Sequence, residues 1–211
     1  MHAFRMMERS PTGKLLGTLL WAAILLVVCP GASEAQQRLS VSALPTGLRP
    51  AGVAFGSYSP IQPLGFIAVA NSGEDSVSFF RYNSPSLPGG VALDRTLHGI
   101  PGPYAVADCN NPRGPSVTKF LITSPSDNSV TLTTPGSVIT RFAVGRQPYS
   151  ATCFVPPGQF TPVAVISNFG DGTLTLIDIE RLIIIGTIPN VPGSRSLHGI
   201  EVRDGRIAWV V

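Results

Sequence analysis

The sequence predicts an all-β protein built from repeated units of four antiparallel strands, and three observations lead there. No long stretch carries the apolar period of an amphipathic helix. Short β-branched and aromatic runs recur instead, bounded by Gly, Pro, Asn, Asp and Ser: Phe66–Ala70, Phe120–Thr123, Val163–Ser167 and Leu182–Ile188. These runs also fall into a common register along the chain, which points to a repeat.

Composition agrees. The chain has 211 residues, 44% of them apolar, so a packed core is expected and intrinsic disorder is not. Only 13% are charged, about half of the roughly 25% usual in globular proteins. The formal net charge is +3 with no basic cluster, which excludes a nucleic-acid footprint. Gly and Pro, 22 and 20 residues, suit a chain rich in sharp turns.

The N-terminus reads as a secretory leader. Arg5, Arg9 and Lys14 precede an uncharged apolar run, Leu15–Val28, and Ser33-Glu34-Ala35 supplies small residues for cleavage after Ala35. The run of 14 residues is shorter than the roughly 20 needed to cross a bilayer. Residues 1–35 are therefore expected to be a signal peptide and the mature protein secreted or periplasmic, with no membrane contact after cleavage. Cys29 leaves with the leader, so Cys109 and Cys153 remain. In an oxidising compartment two cysteines form either one disulfide or two buried thiols.

The repeat units follow in order. Pro50, Pro103, Pro148 and Ser196 form one landmark, at intervals of 53, 45 and 48 residues. Asn71, Ser124 and Asn168 each close an apolar strand about 20 residues later, and Val77, Val130 and Leu174 lie six residues beyond them. A fourth strand completes each unit: Ala92–Ile100, Val138–Val144 and Leu182–Ile188. Four strands in about 48 residues is the size of a β-propeller blade. The expected blades are 48–100, 101–145, 146–193 and an incomplete 194–211. The turn residues Asn71, Asp75, Asp127, Asn168 and Asp171 recur between second and third strands, where Asx side chains cap the backbone.

Arg38–Leu44 precedes Pro50 as a fourth strand precedes each later landmark, so it is expected to be an outer strand of the last blade. Two arrangements then remain: a four-bladed ring with a three-stranded final blade, or part of a larger ring. The apolar run Ile207–Val211, with its unpaired edge, favours the second and predicts self-association through that strand.

The motif P-x-x-[VA]-x-[FC], an apolar strand ending in Asn, then [ED]-[SG]-[ST]-[VL]-[ST]-[LF] and an Ile/Val-rich strand resembles the YVTN-type β-propeller repeat. The third unit, VISNFGDGTLTLIDIERLIIIGTIP, is the nearest match, and the second departs most, with Ser124 in place of Asn. The resemblance runs from Arg38 to the C-terminus. It implies a bacterial surface or secreted propeller, of a kind that includes lactonase-like enzymes.

Chemistry is sparse in the sequence. There is no GxGxxG, P-loop, HExxH, GxSxG or CxxC. His98 and His198 lie in identical LHGI tetrapeptides at different phases of the repeat, without ligand-spaced partners. Glu74, Glu180 and Glu201 are the glutamates beyond the leader, and none pairs with a histidine at a matching repeat position. No catalytic residue, cofactor or metal ligand is therefore expected. Arg49, Tyr104, Arg146 and Tyr149 lie at the starts of inner strands, where they either face the channel mouth or pack between blades. Cys109 and Cys153 fall six and five residues after their prolines; that offset puts them on opposite strand faces, which permits a disulfide across the seam and leaves two separate buried thiols as the alternative. The leading reading is an exported scaffold that binds a protein, peptide or glycan. The alternative is a lactonase- or lyase-type propeller enzyme with its site at the channel mouth or in further blades.

Overall fold

The computed structural model describes residues 45–56, 64–83, 90–111, 117–189, 199–203 and 206–210, and among these described residues fourteen strands pair into four separate antiparallel sheets. All belong to the unit Ser42–Val211. The leader, Arg38–Leu44, Ser196 and His198 lie outside the described residues.

The first sheet runs β1 (Pro50–Phe55), β2 (Leu64–Asn71), β3 (Ser76–Asn83) and β4 (Ala92–His98), each hydrogen-bonded to the next. The second repeats that order with β5 (Val106–Asp108), β6 (Phe120–Ser124), β7 (Ser129–Thr133) and β8 (Val138–Ala143). The third comprises β9 (Pro148–Phe154), β10 (Val163–Asn168), β11 (Thr173–Asp178) and β12 (Ile183–Ile188). A two-stranded sheet, β13 (Gly199–Arg203) with β14 (Arg206–Val210), follows. The first two expected outer strands stop two and one residues early, because the chain leaves each sheet toward the next inner strand, and the third begins one residue late, at Ile183. Gly99 and Ile100, for example, donate their backbone N–H groups to the Asp75 carbonyl at 3.0 and 3.1 Å.

The middle strands of the second and third sheets are apolar on both faces because each of these sheets is sandwiched between neighbours. All five residues of β6 are buried. Phe120 and Ile122 pack back against Ala68, Val77 and Phe79 of the first sheet. Leu121 packs forward with Ala164, Ile166 and Ile177 of the third. Successive side chains of a strand point to opposite faces, so one short strand serves both layers. Phe79 and Phe120, fully buried with ring centroids 5.6 Å apart, each contribute about 1.5–3 kcal/mol through burial. Val165 and Leu174 carry the packing on to Ile200 of β13. The first strands of successive sheets meet in turn: β1 with β5, β5 with β9, and β9 with β13.

That inner approach is close. A Cβ on Gly52 of β1 would lie 2.4 Å from the Tyr104 carbonyl oxygen and 2.9 Å from the Ala105 Cα, so only glycine fits. Each outer strand carries one extra residue against its partner, at Asp94, Ile139 and Ile185. Such bulges twist an edge away from unwanted pairing.

Candidate functional site

The turns joining second to third strands share one design. Their sequences, NSGEDSV, SPSDNSV and NFGDGTL, begin at Asn71, Ser124 and Asn168. The fifth residue of each adopts positive φ: Asp75 at 51°, Asn128 at 52° and Gly172 at 67°. Asn, Asp and Gly tolerate that region. The fourth residue is a carboxylate that accepts a hydroxyl hydrogen bond two residues on. Ser76 Oγ donates to Glu74 at 2.9 Å, Ser129 Oγ to Asp127 at 2.9 Å, and Thr173 Oγ1 to Asp171 at 2.7 Å. Asp75 is therefore the counterpart of Asn128 and Gly172, while Glu74 is the residue equivalent to Asp127 and Asp171. Grouping the three aspartates missed Glu74 and Asn128; aligning the seven-residue turns exposes both.

Asn71 and Asn168 lock these turns from beneath. Both are fully buried. Asn71 Nδ2 donates to Ser76 Oγ and Ser78 Oγ at 3.0 and 2.9 Å, and its Oδ1 accepts from the Gly47 N–H at 3.1 Å. Asn168 Nδ2 repeats the pattern on Thr173 and Thr175, both at 2.9 Å. Ser124 is too short to do so, and both Ser124 Oγ and the buried Thr131 Oγ1 lack a hydrogen-bond partner.

Arg49 and Arg146 sit in the segments leading into β1 and β9 and are exposed. Their backbones are held by the same turns. The Arg49 carbonyl accepts from the Ser72 N–H at 3.0 Å, and the Arg146 N–H donates to Asp171 Oδ2 at 2.8 Å. They are not repeat equivalents: Arg49, at φ 52°, corresponds to Gln147, at φ 50°, and Arg146 corresponds to Leu48.

Tyr104 and Tyr149 are brought together. Tyr104 lies just before β5, with its N–H donating to the Thr123 carbonyl at 2.8 Å, and Tyr149 is the second residue of β9. Their rings stand 4.4 Å apart at centroid, and the Tyr104 hydroxyl donates to that of Tyr149 at 2.9 Å. Phe169, from the β10–β11 turn, adds a third ring 5.5 Å from Tyr149; its place in the second-to-third-strand turn gave no sequence signal for this. The hydrogen bond to Tyr149, then desolvation, raises the Tyr104 pKa above its usual value. Desolvation, with the Asp108 carboxylate adding to it, does the same to Tyr82. The three rings form a half-buried aromatic surface across two blades, with hydroxyl groups to donate and accept, at the end of the sheets that carries both arginines.

Further along the same inner strands a disulfide joins Cys109, just after β5, to Cys153 of β9, with Cα atoms 5.0 Å apart. It crosses the seam between second and third blades, beside Leu121 and Ala164. Lys119 spans the same seam to Glu180 at 2.9 Å. His98 is the exposed last residue of β4. Among the described residues no three His, Cys, Asp or Glu side chains group to hold a metal ion.

No protein-family model matches the chain, and no curated protein sequence is similar to it. Several solved structures are similar in shape. Hydrazine synthase of Kuenenia stuttgartiensis superposes with a TM-score of 0.54 at 15% identity, over 78% of this chain and 42% of its own. Apo AztD from Citrobacter koseri gives 0.51 at 18%, over 78% and 41%. BBS1N, solved in complex with ARL6DN, gives 0.53 at 10%, over 74% and 44%. The chain thus spans less than half the length of each. All three are β-propeller proteins. At such identities the likeness speaks to fold alone, and with three sheets of four antiparallel strands it establishes that this chain has the β-propeller fold.

Proposed function

We propose that the protein is an exported, non-enzymatic propeller module that binds a protein, peptide or glycan at the end of its inner strands. The observation that carries this reading is the Tyr104–Tyr149–Phe169 surface, with Arg49 and Arg146 at the same end. Clustered, mutually tilted aromatic rings offer apolar contact at low conformational cost, while hydroxyl and guanidinium groups supply directional hydrogen bonds. That combination suits a ligand with apolar faces and polar edges. The leader pattern supports export, and a disulfide between blades suits an oxidising compartment. The repeat motif supports membership of the YVTN-type propellers, with blades at 48–100, 101–145, 146–193 and 194–211.

Glycan and peptide arrays probed with the purified exported protein test the proposal. Wild type is expected to bind a restricted set of ligands, and Tyr149→Ala to lose them while keeping its far-UV spectrum. A wild type that binds nothing, or binding unchanged in both Tyr149→Ala and Tyr104→Ala, would refute it.

A further inference from the structure

The inner strands β5 and β9 are tied together at both ends. At one end the Tyr104 hydroxyl donates to that of Tyr149 at 2.9 Å; at the other the disulfide holds the Cys109 and Cys153 Cα atoms 5.0 Å apart. Along β9 the two ties are separated by about 13 Å of extended chain. The side chains that the strands present to one another between the ties are small. Ala107 and Cys109 are alternate residues on one side of the seam, Ala151 and Cys153 on the other, and all four pack in one cluster. The large side chains of that cluster, Leu121, Leu132, Ile166 and Ile177, come from the middle strands β6, β7, β10 and β11. They hold the sheets together and leave the spacing of the inner strands to the bridge.

The tyrosines do not set that spacing. Tyr149 is passed over by the β9–β10 ladder: Ser150 pairs with Ser167 and Pro148 with Asn168, so Tyr149 is the extra residue of a bulge. A bulged residue takes its aim from its surroundings rather than from the ladder. Both rings are half-buried, so water competes for the two hydroxyls and their hydrogen bond follows the strand spacing.

We infer that the Cys109–Cys153 disulfide is a positioning device for the aromatic surface: by fixing how closely β5 and β9 run, it brings the rings and hydroxyls of Tyr104 and Tyr149 into contact. Its consequence for binding rests on the reading of that surface proposed above. Cys109 and Cys153 are positioning residues, acting through the tyrosines.

Nuclear magnetic resonance of the exported protein at neutral pH, with glycan and peptide arrays run in parallel, tests the inference. Oxidised wild type should show nuclear Overhauser contacts between the Tyr104 and Tyr149 rings. Lys119→Gln, which removes the other tie across this seam to Glu180, should keep them. Cys109→Ala/Cys153→Val, which breaks the bridge and refills the seam, should lose those contacts and lower its array signals at least tenfold while keeping its far-UV spectrum. Wild type reduced with a phosphine should behave alike, so either comparison serves if the other form unfolds. Ring contacts or array signals that persist in folded protein without the bridge overturn the inference. So does global unfolding of both unbridged forms, which would make the bridge a general staple of the fold. Oxidised wild type with no array signal refutes the binding reading alone, and the ring contacts then decide the positioning.

Discussion

Removing the disulfide between Cys109 and Cys153 probes how the blades are held together. The two cysteines are 44 residues apart in sequence. In the chain-entropy description, closing a loop of that length takes about 13 cal/mol/K from the unfolded ensemble, or about 4 kcal/mol at 25 °C. Cys109 is fully buried, with Cys153 packed against the same cluster. Replacing both by Ala therefore adds a small packing loss, on the order of 1 kcal/mol. A domain with a typical stability of about 5–15 kcal/mol would thus lose a large share of it. Urea unfolding of wild type and of Cys109→Ala/Cys153→Ala, followed by far-UV circular dichroism, measures the difference. The midpoint should fall by at least about 1 M for a urea slope of 1–3 kcal/mol/M, and the slope should rise as the freed chain expands. Reduction of wild type should reproduce most of the change without the packing loss. A double variant within about 1 kcal/mol of wild type would refute the reasoning. Two free thiols in denatured, unreduced protein would refute the bridge itself.

Three further outcomes follow from the turns and the inner strands. Ser124→Asn restores the side chain that Asn71 and Asn168 supply to their blades; by partnering Thr131 Oγ1 it should raise stability by about 0.5–1.5 kcal/mol in thermal or urea unfolding. Gly52→Ala sets a Cβ against the Tyr104 carbonyl and should cost about 1–3 kcal/mol in the same assay; a neutral result would mean that β1 and β5 do not approach as described. The raised pKa of Tyr104 gives a pH signature. Because the folded state holds the neutral phenol, its contribution is complete below the unfolded value of about 10 and is lost as pH rises through the higher folded value. Ultraviolet titration should show two tyrosines, Tyr104 and Tyr82, ionising late, and Tyr149→Phe should return Tyr104 alone toward the usual value.

The strand order was legible because the physical cause of each blade is local. Strands sandwiched between neighbours must be apolar on both faces, as Phe120–Ser124 and Val163–Asn168 are, and the turns between them need residues tolerant of positive φ. The recurrence of Asn71 and Asn168 was readable for the same reason. What stayed hidden depended on contacts between blades. The 4.4 Å approach of Tyr104 to Tyr149 joins residues 45 apart in sequence, and Phe169 reaches them from a turn whose own sequence explains only its backbone. Asp75 shares its residue type with Asp127 and Asp171 but stands one position later in its turn. The pairing of Glu74 with Ser76 shows the backbone position to be the better guide. The bulges at Asp94, Ile139 and Ile185 leave no composition signal, since three different surroundings share one geometry.

Mapping a ligand onto the protein tests the central claim most directly. The strongest array ligand would be titrated into isotopically labelled protein and followed through backbone amide chemical shifts. The account predicts perturbations confined to residues 48–50, 102–105, 146–149 and 169–171, saturating together and absent in Tyr149→Ala. Shifts centred on β12, or on the β9–β10 loop at the opposite end of the strands, with 102–105 and 146–149 unmoved, would contradict it.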